Sequence, residues 1–235
     1  ASRRSGDAPG PNRNNNFTAV NLLTLAVYAA LSGVMFLLVI YLQEVAGYSA
    51  LAAGSALLPI TALMLLFSAR AGQLAQLLGP RWPLTAGPLL LAAGTLLLLR
   101  IDAGGSYLTT VLPAILVFGA GLTLTVAPLT ATVLAGVPER HSGIASAVNN
   151  AISRGGGLLA VAVLPVAAGI TGGAYQDPVR LADGFRVAML ICAGMLIAGA
   201  LLAAVLVRDR APSRPGSEAA GSDSAGPSRA TVQKV

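Results

Sequence analysis

Long stretches without a single charged residue constrain this chain more than any other feature. Six such windows follow one another along its 235 residues. A bilayer core about 30 Å thick needs roughly 20 apolar residues for each helical crossing. The windows therefore predict an all-α membrane protein, a bundle of six transmembrane helices whose solvent is lipid. They cover residues 14–43, 45–69, 82–99, 103–138, 155–176 and 187–207.

The composition agrees with a membrane protein and argues against a nucleic-acid partner. Hydrophobic residues make up 55% of the chain and charged residues 10%, whereas about 25% of the residues of a soluble domain are charged. The net charge of +6 comes from basic residues at helix ends and in the tails rather than on one helix face. The lipid bilayer is therefore the expected partner. The preference for Arg over Lys, with abundant Ala, Gly and Leu, indicates a GC-rich bacterial genome.

Three segments divide the chain. Residues 1–16 are polar and carry prolines and a run of asparagines, which predicts a cytoplasmic linker. Residues 17–207 form the six-span bundle. Residues 208–235 are rich in Ser, Gly, Pro and Ala, so they predict a disordered cytoplasmic tail. Because the chain opens with Ala rather than Met, we expect a fragment whose missing part lies upstream.

The distribution of basic residues predicts how the chain crosses the membrane. Cytoplasmic loops of membrane proteins carry an excess of Lys and Arg. If residues 1–16 are cytoplasmic, eleven basic residues fall on that side and three on the other, with Arg154 left aside. We therefore expect a multi-pass protein of the cell membrane with both termini in the cytoplasm.

Turn and cap residues place the ends of individual spans. Ser49 is a suitable N-cap for the second span, which we expect to end near Ser68. A polar loop from Arg70 to Arg81 should follow it, and the sixth span should begin at Phe185.

Prolines lie within or at the edges of several windows. In water an interior proline would cost a helix about 3 kcal/mol, but neighbouring helices in a membrane can satisfy the freed carbonyls. We expect the fourth span to bend, which suits a protein that moves between two states, although membrane helices tolerate proline generally. The prolines are Pro59, Pro83, Pro88, Pro113, Pro128 and Pro165.

The fifth span carries a polar stripe, the most chemically suggestive feature of the chain. We expect this helix to run from near Gly143 to near Thr171. At 100° per residue, six of its residues fall within an arc of about 140°. Such a stripe either lines a cavity or forms hydrogen bonds with neighbouring helices. The stripe consists of Ser146, Asn149, Asn150, Ser153, Arg154 and Gly157.

Arg154 has two possible placements. A helix starting at Gly143 would carry it about 16 Å along the axis, where an arginine should face the bundle interior or a water-filled cavity with a partner. Alternatively, residues 155–176 span the membrane alone and Arg154 extends to the inner interface. No acid lies inside any window, so an interior partner would be a carbonyl, an amide such as Gln43, or an acid in the missing part.

No pattern in the chain predicts an enzyme, a cofactor or a metal site. His141, the only histidine, falls in a loop, and Cys192, the only cysteine, cannot form an intrachain disulfide. Phosphate-loop and nucleophile motifs are absent from the sequence. Without an acid in any window, these residues alone cannot complete a proton pathway.

Several short segments occur in a characteristic order within residues 17–207 and just before them. They are Asn16–Asn21; Tyr41–Ser49, followed by Ala53-Gly54 and Leu58-Pro59; Gly119–Leu122, followed by Ala127–Thr130; and Gly143–Ser146 with Asn149 and Arg154. As an ordered set they resemble the C-terminal half of the major facilitator superfamily, specifically its fourteen-span drug/proton antiporter family.

The segment 72–81 is similar to the inner-loop signature of that superfamily. Gly72, Gly79 and Arg81 match the signature, as does Leu74. Gln76 replaces its acidic residue and Leu77 the basic residue that follows. The resemblance therefore implies a tight turn here, with the charge relay in doubt.

The resemblance implies alternating access around a cavity between two six-helix halves, and proton-driven efflux of amphiphilic or cationic compounds. Its implied partners are a small-molecule substrate and the missing N-terminal half. Arg154 would then be a gating or cavity charge on a stripe that lines or closes the cavity. A six-span structural or regulatory protein without transport activity is the alternative, which the missing acids and the altered signature favour.

Overall fold

The computed structural model describes residues 11–79, 81–102, 104–135 and 142–206. Six helical segments of this part are long and apolar enough to cross a membrane, which confirms the predicted six-helix membrane bundle. A π-helical turn, Tyr107–Val111, leads into α5, and 3-10 turns cover Leu98–Arg100 and Gly172–Gln176. The α-helices are α1 (Pro11–Glu44), α2 (Ala50–Ser55), α3 (Leu58–Leu78), α4 (Arg81–Leu97), α5 (Leu112–Ala135), α6 (Ser142–Ala167) and α7 (Pro178–Leu206).

The two ends of the chain fall largely outside the described residues. Helix α1 begins at Pro11, inside the segment 1–16 that we predicted to be a linker. The residues before Pro11 and the predicted tail, 208–235, lie outside the described part. The linker and the tail therefore stay predictions.

The second span consists of two helices, α2 and α3. Ser49 caps α2 as predicted, because its Oγ accepts a hydrogen bond from the backbone N–H of Ala52 at 3.2 Å. The helix breaks after Ser55 and resumes at Leu58, with Pro59 in the first turn of α3. Proline is favoured in a first turn because its missing N–H would have no partner there.

The predicted polar loop from Arg70 to Arg81 is wrong for most of its length. Helix α3 continues through Arg70 and ends at Leu78. Gly79 then leaves the helix with a positive φ of 82°, a conformation that glycine adopts without strain. One arginine does not end a helix, and the Ala, Leu and Gln residues beside it are good helix formers.

The sixth span starts earlier than the expected Phe185. Asp177 accepts hydrogen bonds through Oδ1 from the backbone N–H groups of Val179, at 3.0 Å, and Arg180, at 3.2 Å. This cap starts α7 at Pro178. The fifth span begins close to Gly143 as expected, but α6 ends at Ala167 rather than near Thr171.

The helices form a curved row in the order α3, α5, α4, α7, α1, α6. Each is packed most extensively on its neighbours in this order, and α5 also touches α1 and α6, which closes the row into a bundle. The two helices at the ends of the row are the most exposed. Leu65 of α3 is 83% exposed and Leu158 of α6 is 74% exposed.

Two contacts between α1 and α7 show the relative direction of these helices. Leu23, in the first half of α1, lies against Gly199 near the end of α7, and Tyr41 stacks on Phe185 with ring centroids 4.2 Å apart. Helices α1 and α7 therefore run antiparallel. The start of α1 and the end of α7 share one end of the bundle, called here the terminal end; the opposite end is the far end.

Glycines bring α4 and α5 into backbone contact. A Cβ atom on Gly94 would lie 2.6 Å from both the N and the Cα atoms of Phe118. A Cβ atom on Gly121 would lie 2.5 Å from the backbone N of Leu91. Small residues permit such close approach in membrane proteins. We call the contact formed by Gly94, Gly121, Leu91 and Phe118 the glycine seam.

Candidate functional site

Polar faces of α1 and α6 meet inside the bundle. Thr24 Oγ1 donates a hydrogen bond of 2.9 Å to Oδ1 of Asn149, which ties the two helices together. The polar residues of α1 recur three or four positions apart, which is the spacing of one helix face. This spacing is visible in the sequence, but we did not predict a polar face on α1. The polar residues on this face of α1 are Asn21, Thr24, Tyr28 and Ser32.

An open groove of about 440 Å³ follows this meeting of helices. It runs along the first half of α6, and one aromatic side chain of α1 forms its other wall. Tyr28 provides this side chain. The groove is lined by Tyr28, Gly143, Ser146, Ala147, Asn149, Asn150 and Ser153. We call it the polar groove.

Two glycines of α6 set the distance between the helices beyond the groove. A Cβ atom on Gly156 would lie 2.7 Å from Cδ1 of Leu25, and one on Gly157 would lie 2.5 Å from Oγ of Ser32. Both obstacles are ends of side chains rather than backbone. The predicted stripe therefore divides, with Gly157 packed on α1 and Ser146, Asn150 and Arg154 exposed.

Arg154 lies close to the middle of α6 on its exposed side. At 1.5 Å per residue it is about 18 Å from the first residue of the helix. Its Nε donates a hydrogen bond of 3.3 Å to Oδ1 of Asn150, one turn earlier. The partner is thus an amide of its own helix, and no acid among the described residues forms an ion pair with it.

Gln43 does not join this cluster. It lies at the far end of α1, and its Nε2 donates a hydrogen bond of 3.1 Å to the carbonyl of Val39 in the same helix. The groove, in contrast, contacts α1 at Tyr28, about 22 Å away along the helix axis. The role of Gln43 as a partner of Arg154 is therefore not supported.

Three of the four residues that match the inner-loop signature occupy different positions around the turn. Gly79 ends α3 with its positive φ, and Arg81 begins α4. Gly72 lies inside α3 with nothing within 4 Å of where its Cβ would be. The tight-turn role thus falls on Gly79, and a packing requirement for glycine at position 72 is not evident.

The described residues were compared with the requirements of a metal site. Within it, no three His, Cys, Asp or Glu side chains lie close enough together to hold a metal ion. What the polar groove offers is amide and hydroxyl groups in a membrane-spanning segment, which suits reversible binding of a solute.

Comparison with known proteins gives a consistent family. The profile of the Major Facilitator Superfamily matches residues 8–161. The puromycin resistance protein pur8 of Streptomyces alboniger is 32% identical over 210 residues, 84% of this chain and 41% of the relative. The multidrug resistance protein Stp of Mycobacterium tuberculosis is 30% identical over 152 residues, covering 65% and 28%.

A third relative is the tetracenomycin C resistance and export protein of Streptomyces glaucescens, 30% identical over 145 residues, 62% of this chain and 27% of the relative. The chain spans less than half the length of each of these relatives. The profile match and these relatives indicate the same family. The chain therefore belongs to the major facilitator superfamily, a family of membrane transporters and not of enzymes, as its motifs predicted.

Proposed function

We propose that this chain is the C-terminal half of a proton-coupled transporter that exports small amphiphilic compounds, including antibiotics. The observation that carries the proposal is the polar groove with Arg154 beside it, on an exposed face near the middle of a membrane-spanning helix. The names of the relatives, which include puromycin resistance and tetracenomycin C export, support the substrate class.

The position of Arg154 argues against contact with lipid. An arginine at the bilayer centre costs at least about 2.5–3.5 kcal/mol, so such residues face protein or a water-filled cavity. In the described part of the chain nothing covers Arg154 or Asn150, both of which are exposed. We infer that a second helical bundle, the N-terminal half, faces this surface across an aqueous cavity.

Protons would have to be carried by residues of the other half. The six uncharged windows hold no Asp or Glu, and carboxylates are the usual intramembrane proton carriers. This half would supply binding surface and one fixed positive charge. The same absence favours the second candidate, a six-span structural or regulatory protein.

The charges at the two ends of the bundle support an orientation with the terminal end in the cytoplasm. Among the described residues, the terminal end carries Arg70 and Arg81, whereas the far end carries Arg100, Arg180 and Arg186 together with the four acids Glu44, Asp102, Asp177 and Asp183, so only the terminal end has an excess of positive charge. Basic residues are enriched in cytoplasmic loops. Cysteines introduced at residues 79 and 104 should label from opposite sides of intact cells; labelling from one side contradicts the orientation.

Export is tested with the full-length gene in a drug-sensitive bacterial host. We expect a raised minimum inhibitory concentration for puromycin or another amphiphilic antibiotic, lost when a protonophore collapses the pH gradient. The gene upstream of this sequence provides the control. A preceding run of membrane spans in the same reading frame supports the transporter, whereas a start codon near Ala1 and unchanged drug sensitivity support the structural alternative.

A further inference from the structure

The hydrogen bonds of the two groove asparagines determine which of their atoms remain available. Asn150 Oδ1 accepts from Nε of Arg154 at 3.3 Å. Since a guanidinium can only donate, the oxygen of Asn150 must face it. Asn149 Oδ1 likewise accepts from Thr24 Oγ1 at 2.9 Å. Both amide oxygens are therefore engaged by the protein.

The groups left over are hydrogen-bond donors. Within the described residues, neither amide NH₂ group has a hydrogen-bond partner, and each offers two N–H donors. The hydroxyls of Tyr28 and Ser146, which also line the groove, have no partner in the same part of the chain and can donate as well. The hydroxyls can also accept, but the amide groups present only donors, so a ligand that brings acceptors matches the polar groove best.

The charge around the groove has a single sign. No Asp or Glu is among its lining residues in the described structure, and the guanidinium of Arg154 is one side chain away. In a cavity between two apolar bundles, the low-dielectric walls focus the field of such a charge on the cavity's contents. It should therefore attract carboxylates, tolerate neutral molecules and repel organic cations.

We propose that the polar groove selects neutral and anionic amphiphiles that present carbonyl, ether or carboxylate oxygens, and that it disfavours organic cations. The inference rests on the proposed export function and narrows its substrate class. It departs from the wider expectation of amphiphilic or cationic substrates that the family resemblance implied. Arg154 acts by orienting Asn150 and by setting the charge of the groove.

The test measures export by the full-length protein in everted membrane vesicles. Three fluorescent probes are used: an amphiphilic carboxylate dye, an uncharged dye with carbonyl groups, and a lipophilic cationic dye. The wild-type protein should export the first two faster than the third. Dissociation constants of the same dyes for the purified wild-type protein, measured by fluorescence polarisation, should follow the same order.

Variants then change the charge of the groove. Arg154→Glu and Asn150→Asp should each shift the ratio of cation to anion export by about tenfold or more toward the cation, because an acid in either position attracts cations and repels carboxylates. Arg154→Lys should retain the wild-type order. Gln176→Glu, an exposed amide-to-acid change at the far end, is the matched control and should leave the ratio unchanged.

The outcomes separate the two proposals. Two results would overturn the proposed selectivity of the polar groove while the export function stands. One is export whose cation-to-anion ratio is unchanged in Arg154→Glu and Asn150→Asp. The other is a wild-type protein that binds and exports only the cation. Failure of the wild-type protein to export any probe or to protect against any antibiotic contradicts the proposed function itself. Protein levels in the membrane and the elution profile in detergent confirm that each variant folds.

Discussion

The glycine seam between α4 and α5 and the polar groove between α1 and α6 use similar residues in opposite ways. Both contain glycines and hydroxyl side chains. In and beside the seam, each hydroxyl bonds within its own helix. Thr95 Oγ1 donates to the carbonyl of Leu91 at 2.8 Å in α4, and Thr125 Oγ1 donates to the carbonyl of Gly121 at 2.7 Å in α5. At the groove, Thr24 bonds across to Asn149 on another helix.

We propose that the difference separates a contact that holds the fold from one that binds a solute. Hydroxyls satisfied within their own helix leave the surface between helices apolar, so backbones can meet directly. Between α1 and α6 the polar groups instead meet across the helix contact. This helix pair is more open, and its hydrogen-bond donors remain available to a ligand. Four predictions test this contrast.

The largest effect should come from Gly94→Ala in the seam. Its Cβ would lie 2.6 Å from backbone atoms of Phe118, which cannot rotate away. We expect a loss of about 3 kcal/mol in the free energy of unfolding, measured by steric trapping of the full-length protein in bicelles. Gly194→Ala, a helical position of α7 with nothing within 4 Å, is the control and should be neutral or slightly stabilising. Equal losses at both positions would contradict the seam.

Gly157→Ala beside the groove should cost less. The nearest obstacle to its Cβ is Oγ of Ser32, which a rotamer change can remove. We therefore expect a loss of about 1 kcal/mol, reduced further in the double variant with Ser32→Ala. A loss as large as that of Gly94→Ala would mean that both helix pairs are equally rigid.

The bond between Thr24 and Asn149 should contribute less again to stability. A double-mutant cycle with Thr24→Val and Asn149→Ala should give a coupling of about 0.6 kcal/mol, the average for hydrogen bonds between membrane helices. Export should be more sensitive than stability, because Asn149 also lines the groove. A coupling of zero would show that the 2.9 Å contact is not maintained.

Thr95→Val should have the smallest effect. The hydroxyl of this fully buried residue bonds only within α4, to a carbonyl that also belongs to the helical ladder. We expect a change of at most about 0.5 kcal/mol in the free energy of unfolding and no change in export. A loss of export would mean that hydroxyls of the seam take part in function.

The spans were predictable because charge and length alone define them, but their ends were less so. The windows located all six segments that are long and apolar enough to cross a membrane. The continuation of α3 past Arg70 and the start of α7 at Pro178 were missed, because a helix may extend beyond the lipid with its charged residues in water. Helix caps, such as Asp177, determine these ends more than charge does.

The groove was predictable only from one side. The 3.6-residue period of α6 placed Ser146, Asn149 and Asn150 on one face, and all three line the groove. Which helix would meet that face depends on tertiary packing, which no local pattern encodes. The polar residues of α1 were visible in the sequence, but only the structure shows that they pack against the polar face of α6.

Cys192 gives this bundle a built-in reporter. Its thiol is fully buried, and a Cβ on Gly33 of α1 would lie 3.5 Å from its Sγ atom. It is also the only cysteine in the chain. Because the thiol is buried in the core, a maleimide can reach it only when the packing around it opens, so the labelling rate reports how often that happens. Comparing that rate with and without substrate would time the opening of the bundle without introducing a foreign residue.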